Sequence, residues 1–94
     1  MNTLPTDLEL IDSRAVKRMF GIRSNDTLRK RHSKQLLPEP ILRGQKKFWP
    51  MQECQTLLAA EINGLDNDEM QALVVQLSHK RSVVFLQLKD NILH

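Results

Sequence analysis

The sequence predicts a mainly α-helical fold carrying a small β-hairpin. Three observations predict it. Two capped stretches, opening at Asp12 and Ser24, are separated by a turn at Gly21. A segment with Pro38 and Pro40 precedes two apolar pairs, Ile41-Leu42 and Phe48-Trp49, which flank "RGQK". The rest of the chain carries two apolar stripes at helical spacing, divided at Asn63-Gly64.

The elements follow in order. Asp12 suits a helix N-cap, and Ile11 and Val16 occupy the positions of a hydrophobic staple. Ala15, Val16, Met19 and Phe20 share one face, with Arg14, Lys17 and Arg18 on the other. Gly21 stops this helix, and Ser24 caps the next only three residues later. With Leu28 turned inward, Asp26, Lys30, Ser33 and Lys34 project outward, and Thr27 and Arg29 lie on the flanks. Pro38 and Pro40 forbid further helix, and Gly44 suits the turn of a hairpin whose tip carries Arg43, Lys46 and Lys47. Trp49 anchors the hairpin to the core. Pro50 fits the first position of a third helix, with Met51, Cys54, Leu57, Leu58 and Ile62 inward. Asp66 and Glu69 form a capping box, with Leu65 and Met70 as a second staple. Beyond Ser82 two readings stand: one helix over 66–91, or a strand in "VVFLQL" (83–88). The order is that of a winged helix-turn-helix over residues 10–62, followed by a C-terminal helical extension over 65–94.

A chain of 94 residues, 40% apolar and 27% charged, is one small soluble domain. Cys54 stands alone, so no internal disulfide forms, and no signal-peptide pattern opens the chain; a cytoplasmic location is expected. The run at 83–88 is too short to cross a bilayer, so no membrane partner is expected. His32, His79, His94 and Cys54 do not group as ligands, which predicts no metal. The sequence shows no nucleophile–base grouping and no phosphate-binding glycine loop, so neither an enzyme nor a cofactor is expected. The charge is uneven: residues 14–49 carry eleven cations against Asp26 and Glu39, a net +9, whereas residues 50–94 carry −3. A segment so basic is the footprint of a polyanion site, against the plainer reading of a solvated charged face.

Particular stretches extend the reading. "DSRAVKRMFGI" supplies a first helix and turn, "TL" at 27–28 opens a second helix, "LLPEPILRG" leads into the wing, and "FWPMQE" closes it. In these features residues 10–62 resemble the AlpA and phage excisionase-like DNA-binding proteins, small relatives of the MerR-type domain. The Pro-x-Pro followed by an apolar residue and a nearby glycine is the most specific match. Arg31 and His32 depart from the pattern, standing where the family is usually apolar, and "RSND" is one residue longer than the usual turn. Residues 65–94 lie outside the resemblance. It implies sequence-specific binding of double-stranded DNA, by a transcriptional regulator of a phage or mobile element or by an excision directionality factor.

The candidate DNA contacts are Thr27, Lys30, Ser33 and Lys34 for base edges or phosphate, and Arg29 for phosphate. Ser24 caps the second helix, whose first amides suit a phosphate. Arg43, Lys46 and Lys47 on the wing, and Arg14 and Arg18 on the outward face of the first helix, complete the set. For the wing lysines the alternative is protection of an exposed edge strand. Asp26 either counters helix charge or accepts from a cytosine amine. The apolar stripe of residues 70–92 predicts a weak homodimer, against a monomer whose tail folds back on Leu57, Leu58 and Ile62. The competing function class is an interaction module, antitoxin-like or an adaptor, working through the basic face or the C-terminal helix.

Overall fold

The computed structural model describes residues 9–93. The fold is mainly helical, with a small antiparallel sheet and a long C-terminal helix. Its order is β1 (Leu10–Asp12), α1 (Ser13–Phe20), α2 (Asn25–Ser33), β2 (Ile41–Arg43), β3 (Lys46–Pro50), α3 (Met51–Ile62) and α4 (Asn67–Leu93).

The helix starts follow their caps. Asp12 Oδ1 accepts from the Ala15 N–H at 3.0 Å, and Ser24 Oγ accepts from the Thr27 N–H at 3.1 Å. Asp66 and Glu69 close the capping box reciprocally, at 3.1 and 2.8 Å. Pro50 stands one position earlier than expected: it flanks α3 as the cap residue, and the first helical N–H, that of Met51, donates to the Glu9 carbonyl at 2.9 Å. The end of α2 carries a feature the sequence does not advertise. Gln35 takes the left-handed conformation at φ 61°, its N–H donates to His32 O, and the Leu36 N–H donates to Arg31 O. This is the closure that Gly21 makes for α1, here on a residue whose Cβ makes it less favourable.

The hairpin forms as expected, with Arg43 opposite Lys46 and a two-residue loop of Gly44 and Gln45. The sheet, however, has three strands in the order β1-β3-β2. Leu10–Asp12, expected only to lead into the first cap, pairs with Phe48–Pro50. A three-residue strand is too short to show alternation, so its pairing depends on partners far along the chain.

One core gathers all the layers: Val16 of α1, Leu28 of α2, Leu37 of the connection, Trp49 of β3, Cys54 and Leu57 of α3, and Met70 and Val74 of α4. Trp49 is 2% exposed, and its indole N–H donates to the Pro38 carbonyl at 2.9 Å. Ile62, expected inward, is instead 75% exposed. Counted at 100° per residue it lies 80° from Cys54 and 140° from Leu57, off the buried stripe. In its place Glu53 turns inward, where Arg81 of α4 meets its carboxylate. The C-terminal alternatives resolve to a single helix, and Met70 and Val74 are committed to the chain's own core. Farther along, Val83, Phe85, Leu86 and Ile92 stay exposed. Among the described residues no helix is long and apolar enough to cross a membrane.

Cys54 is fully buried, and that burial, with the neighbouring Glu53 carboxylate adding to it, pushes its thiol from 9.0 up to about 12. A raised thiol pKa favours the protonated, folded form. The resulting stabilisation is complete below the unfolded value and is lost as pH climbs from there toward the folded one. At pH 9 the native thiol should therefore react with an aromatic disulfide reagent roughly a hundredfold more slowly than the denatured chain. Comparable rates, followed by absorbance, would show that the α3 packing opens readily.

Candidate nucleic-acid interface

The start of α1, one flank of α2 and the hairpin enclose an open groove of about 620 Å³. Its floor is apolar, made by Leu28, Pro40 and Trp49. Its walls carry Arg14 and Lys17 from α1, Asn25, Arg29 and His32 from α2, and Gln45, Lys46 and Lys47 from the hairpin. Five cations from three separate chain segments thus face one concavity. The tight turn after Gly21 brings the α1 and α2 residues together, and the pairing of β2 with β3 brings the lysines.

Asp12 is the acidic residue of the groove. The Ala15 amide, helped to a lesser degree by Lys46 and Arg14, holds its carboxyl below the usual carboxylate range, and desolvation, second in size to the amide, opposes them. It therefore stays charged near neutrality, at the N-terminus of α1.

Four of the sequence-derived candidates line the groove: Arg14, Arg29, Lys46 and Lys47. The others are exposed outside it. Ser24 and Thr27 bond to each other at 2.8 Å at the start of α2. Lys30 and Ser33 lie along α2, and Lys34 at its C-cap. Arg18 lies on α1, and the Arg43 guanidinium sits 5.7 Å from the centroid of the Phe48 ring. Two cations of α2 are tied down locally: the Asp26 carboxylate pairs with Arg29 and, at 3.2 Å, with Lys30.

Arg31, one of the cations of the basic segment, belongs to the scaffold. Its side chain is 17% exposed, its Nη2 lies 2.5 Å from Glu61 Oε1, and its guanidinium stacks 4.4 Å from the Phe20 centroid. It joins α2 to α3 and does not face the groove. His32, the other departure from the family pattern, is half-buried on the groove wall, with its Nε2 3.2 Å from Glu39 Oε1.

Four residues of the groove walls were not among the sequence-derived contacts: Lys17, Asn25, His32 and Gln45. Lys17 was legible, since it follows Arg14 by three residues on the outward face of the same helix. Its Nζ donates to Asn25 Oδ1 at 2.7 Å, so it also fixes the first residue of α2. Gln45 gave no signal beyond its place in the hairpin turn.

The arrangement suits a phosphodiester chain: cationic walls for phosphate oxygens, and an apolar floor for the less polar sugar face. Among the described residues no three His, Cys, Asp or Glu side chains come together to hold a metal ion. No family model, no curated protein and no solved structure matches the chain.

Proposed function

We propose that the protein binds double-stranded DNA sequence-specifically, as a transcriptional regulator of a phage or mobile element working in the cytoplasm. The observation that carries this reading is the groove itself, in which cations of α1, α2 and the hairpin surround an apolar floor. A helix 10–12 Å across fits a major groove roughly 12 Å wide. With α2 so placed, the hairpin tip reaches the next groove, and the concavity between them straddles one sugar-phosphate strand. Thr27, Lys30, Ser33 and Lys34 lie on the exposed surface of α2 or its C-cap, where base edges are within reach. The wing lysines and Arg14 serve phosphate.

A weak homodimer belongs to the same proposal, because a single small domain reads few base pairs and two half-sites supply specificity. Its contacts come from Phe85 and Ile92, which are exposed on one face of α4, rather than from the buried Met70 and Val74. That part of the chain carries only Lys89 and Asp90, so two copies meet there without net charge repulsion.

Selection of preferred sites from a random duplex library, followed by titration against salt, tests the reading. An adaptor for an acidic protein would yield no preferred site and no duplex binding at moderate salt. Replacing Lys46 and Lys47 together with alanine should weaken preferred and random duplexes by a similar factor. It should also lower the salt slope by up to about two units. An unchanged slope would leave these lysines as edge protection.

Asp26→Asn separates two roles for that carboxylate. As a counter-charge to Arg29 and Lys30, its loss should tighten binding to every duplex. The gain is roughly fivefold at low salt, from about 1 kcal/mol for unit charges 4 Å apart in water. If instead Asp26 reads a cytosine, the preferred site alone weakens.

Sedimentation of the full chain at tens of micromolar should show a monomer–dimer equilibrium that Phe85→Asp shifts to monomer. A purely monomeric wild type removes the dimer and leaves the DNA reading to stand on the titrations.

A further inference from the structure

We propose that Arg81, deep in the C-terminal helix, is a positioning residue that sets the wing against the helix pair. The functional half of this inference rests on the DNA reading above. The structural half does not.

The connection between α2 and β2 is short and contains Pro38 and Pro40, which have no N–H of their own. It is held instead through three of its carbonyls. The Lys34 carbonyl accepts from Gln71 Nε2 at 2.9 Å, Pro38 from the Trp49 indole at 2.9 Å, and Glu39 from Arg81 Nη2 at 2.9 Å. Two of the three donors lie on α4, ten residues and so about 15 Å apart. The long helix therefore grips both the place where α2 ends and the place where the wing begins.

Arg81 can do this because its own orientation is fixed. Its Nε and Nη2 donate to the two carboxylate oxygens of Glu53, both at 2.8 Å. Glu53 is only 9% exposed, and Arg81 is the partner that makes its inward turn tolerable. A forked guanidinium satisfies that carboxylate and still directs a donor at the Glu39 carbonyl; a lysine ammonium holds no such plane. The other end of Glu39 is engaged too, its carboxylate meeting His32 of α2 at 3.2 Å. Glu39 is thus the joint at which α2, α4 and the wing meet, and Arg81 is what fixes its backbone. This explains a cation set in an otherwise apolar helical stripe.

Hydrogen exchange of the full chain, resolved by residue, tests the structural half without DNA. In Arg81→Lys the amides of residues 41–48 should exchange roughly tenfold faster while those of α1 stay near wild type. Exchange unchanged across the wing, or accelerated equally in α1, would overturn a positioning role. The paired replacement Glu53→Met with Arg81→Met removes the carbonyl contact without stranding a buried charge, and it should loosen the wing in the same way even if the lysine variant folds poorly. On DNA, Arg81→Lys should lower the salt slope as the Lys46, Lys47 double variant does, and adding it to that variant should change nothing further. Additive losses would overturn action through the wing. If the wing loosens and yet the wild-type protein binds no duplex, Arg81 keeps its positioning role and the DNA reading falls.

Discussion

The burial of Trp49 is the constraint on which the remaining geometry depends. β3 is the middle strand of the sheet, so Trp49 has Ile11 of β1 on one side and the hairpin strand β2 on the other. Its ring joins the core with Val16, Leu28 and Leu57, and its N–H holds Pro38. The residues on either side inherit their positions from it. Asp12, next to Ile11, starts α1; Met51, two residues on, starts α3. With Leu28 and Pro40, Trp49 also lines the groove. Emptying such a site to alanine costs about 3–5 kcal/mol, a large part of the stability of a small domain.

The C-terminal helix divides at Arg81. Before it, Met70 and Val74 are buried, and Leu73 and Leu77 pack against the core. After it, Val84 and Leu88 are half-covered beside Leu10, Ile41 and Pro50, while Phe85 is 63% exposed. A helix of 27 residues extends about 40 Å, longer than a core this small can cover. The ion pair with Glu53 stands where apolar burial gives out. Its value lies less in net stability, since desolvation offsets much of the attraction, than in direction: a forked donor fixes one rotation of the helix.

Local chemistry was legible in the sequence, and distant chemistry was not. The caps at Asp12, Ser24 and Asp66 act over three residues, and the hairpin turn over four, so composition alone locates them. The single amphipathic stripe through Leu28 was equally plain. Three kinds of feature were hidden. The β1 pairing joins residues almost forty positions apart. Glu53 with Arg81, and Arg31 with Glu61, join charges 28 and 30 residues apart, and nothing in either stretch names the partner. Gln35 takes a conformation usually marked by glycine. The candidate site splits along the same line. The cationic faces were found, but which cations converge depends on how the hairpin folds back. Hence Lys17, seen on the outward face of α1, was not placed among the contacts, and Arg31 was counted among cations it does not join.

The basic segment is less uniform than its net charge suggests, and its unevenness has an energetic consequence. Asp26 balances part of the α2 charge, and Glu61 takes Arg31. Arg14, Lys17, Lys46 and Lys47 make no ion pair among the described residues, yet they surround one groove in which Asp12 is the acid. Like charges gathered from separate segments oppose the compact state that gathers them. On the proposed reading, a polyanion seated in the groove would relieve that repulsion and stabilise the fold by mass action, since the unfolded chain spreads the same cations apart. The wing is where the two effects meet: Lys46 is drawn toward Asp12, and the wing's position is held by the carbonyl contacts at Pro38 and Glu39. Those contacts hold the wing lysines at the groove, beside the cations that α1 and α2 bring to it.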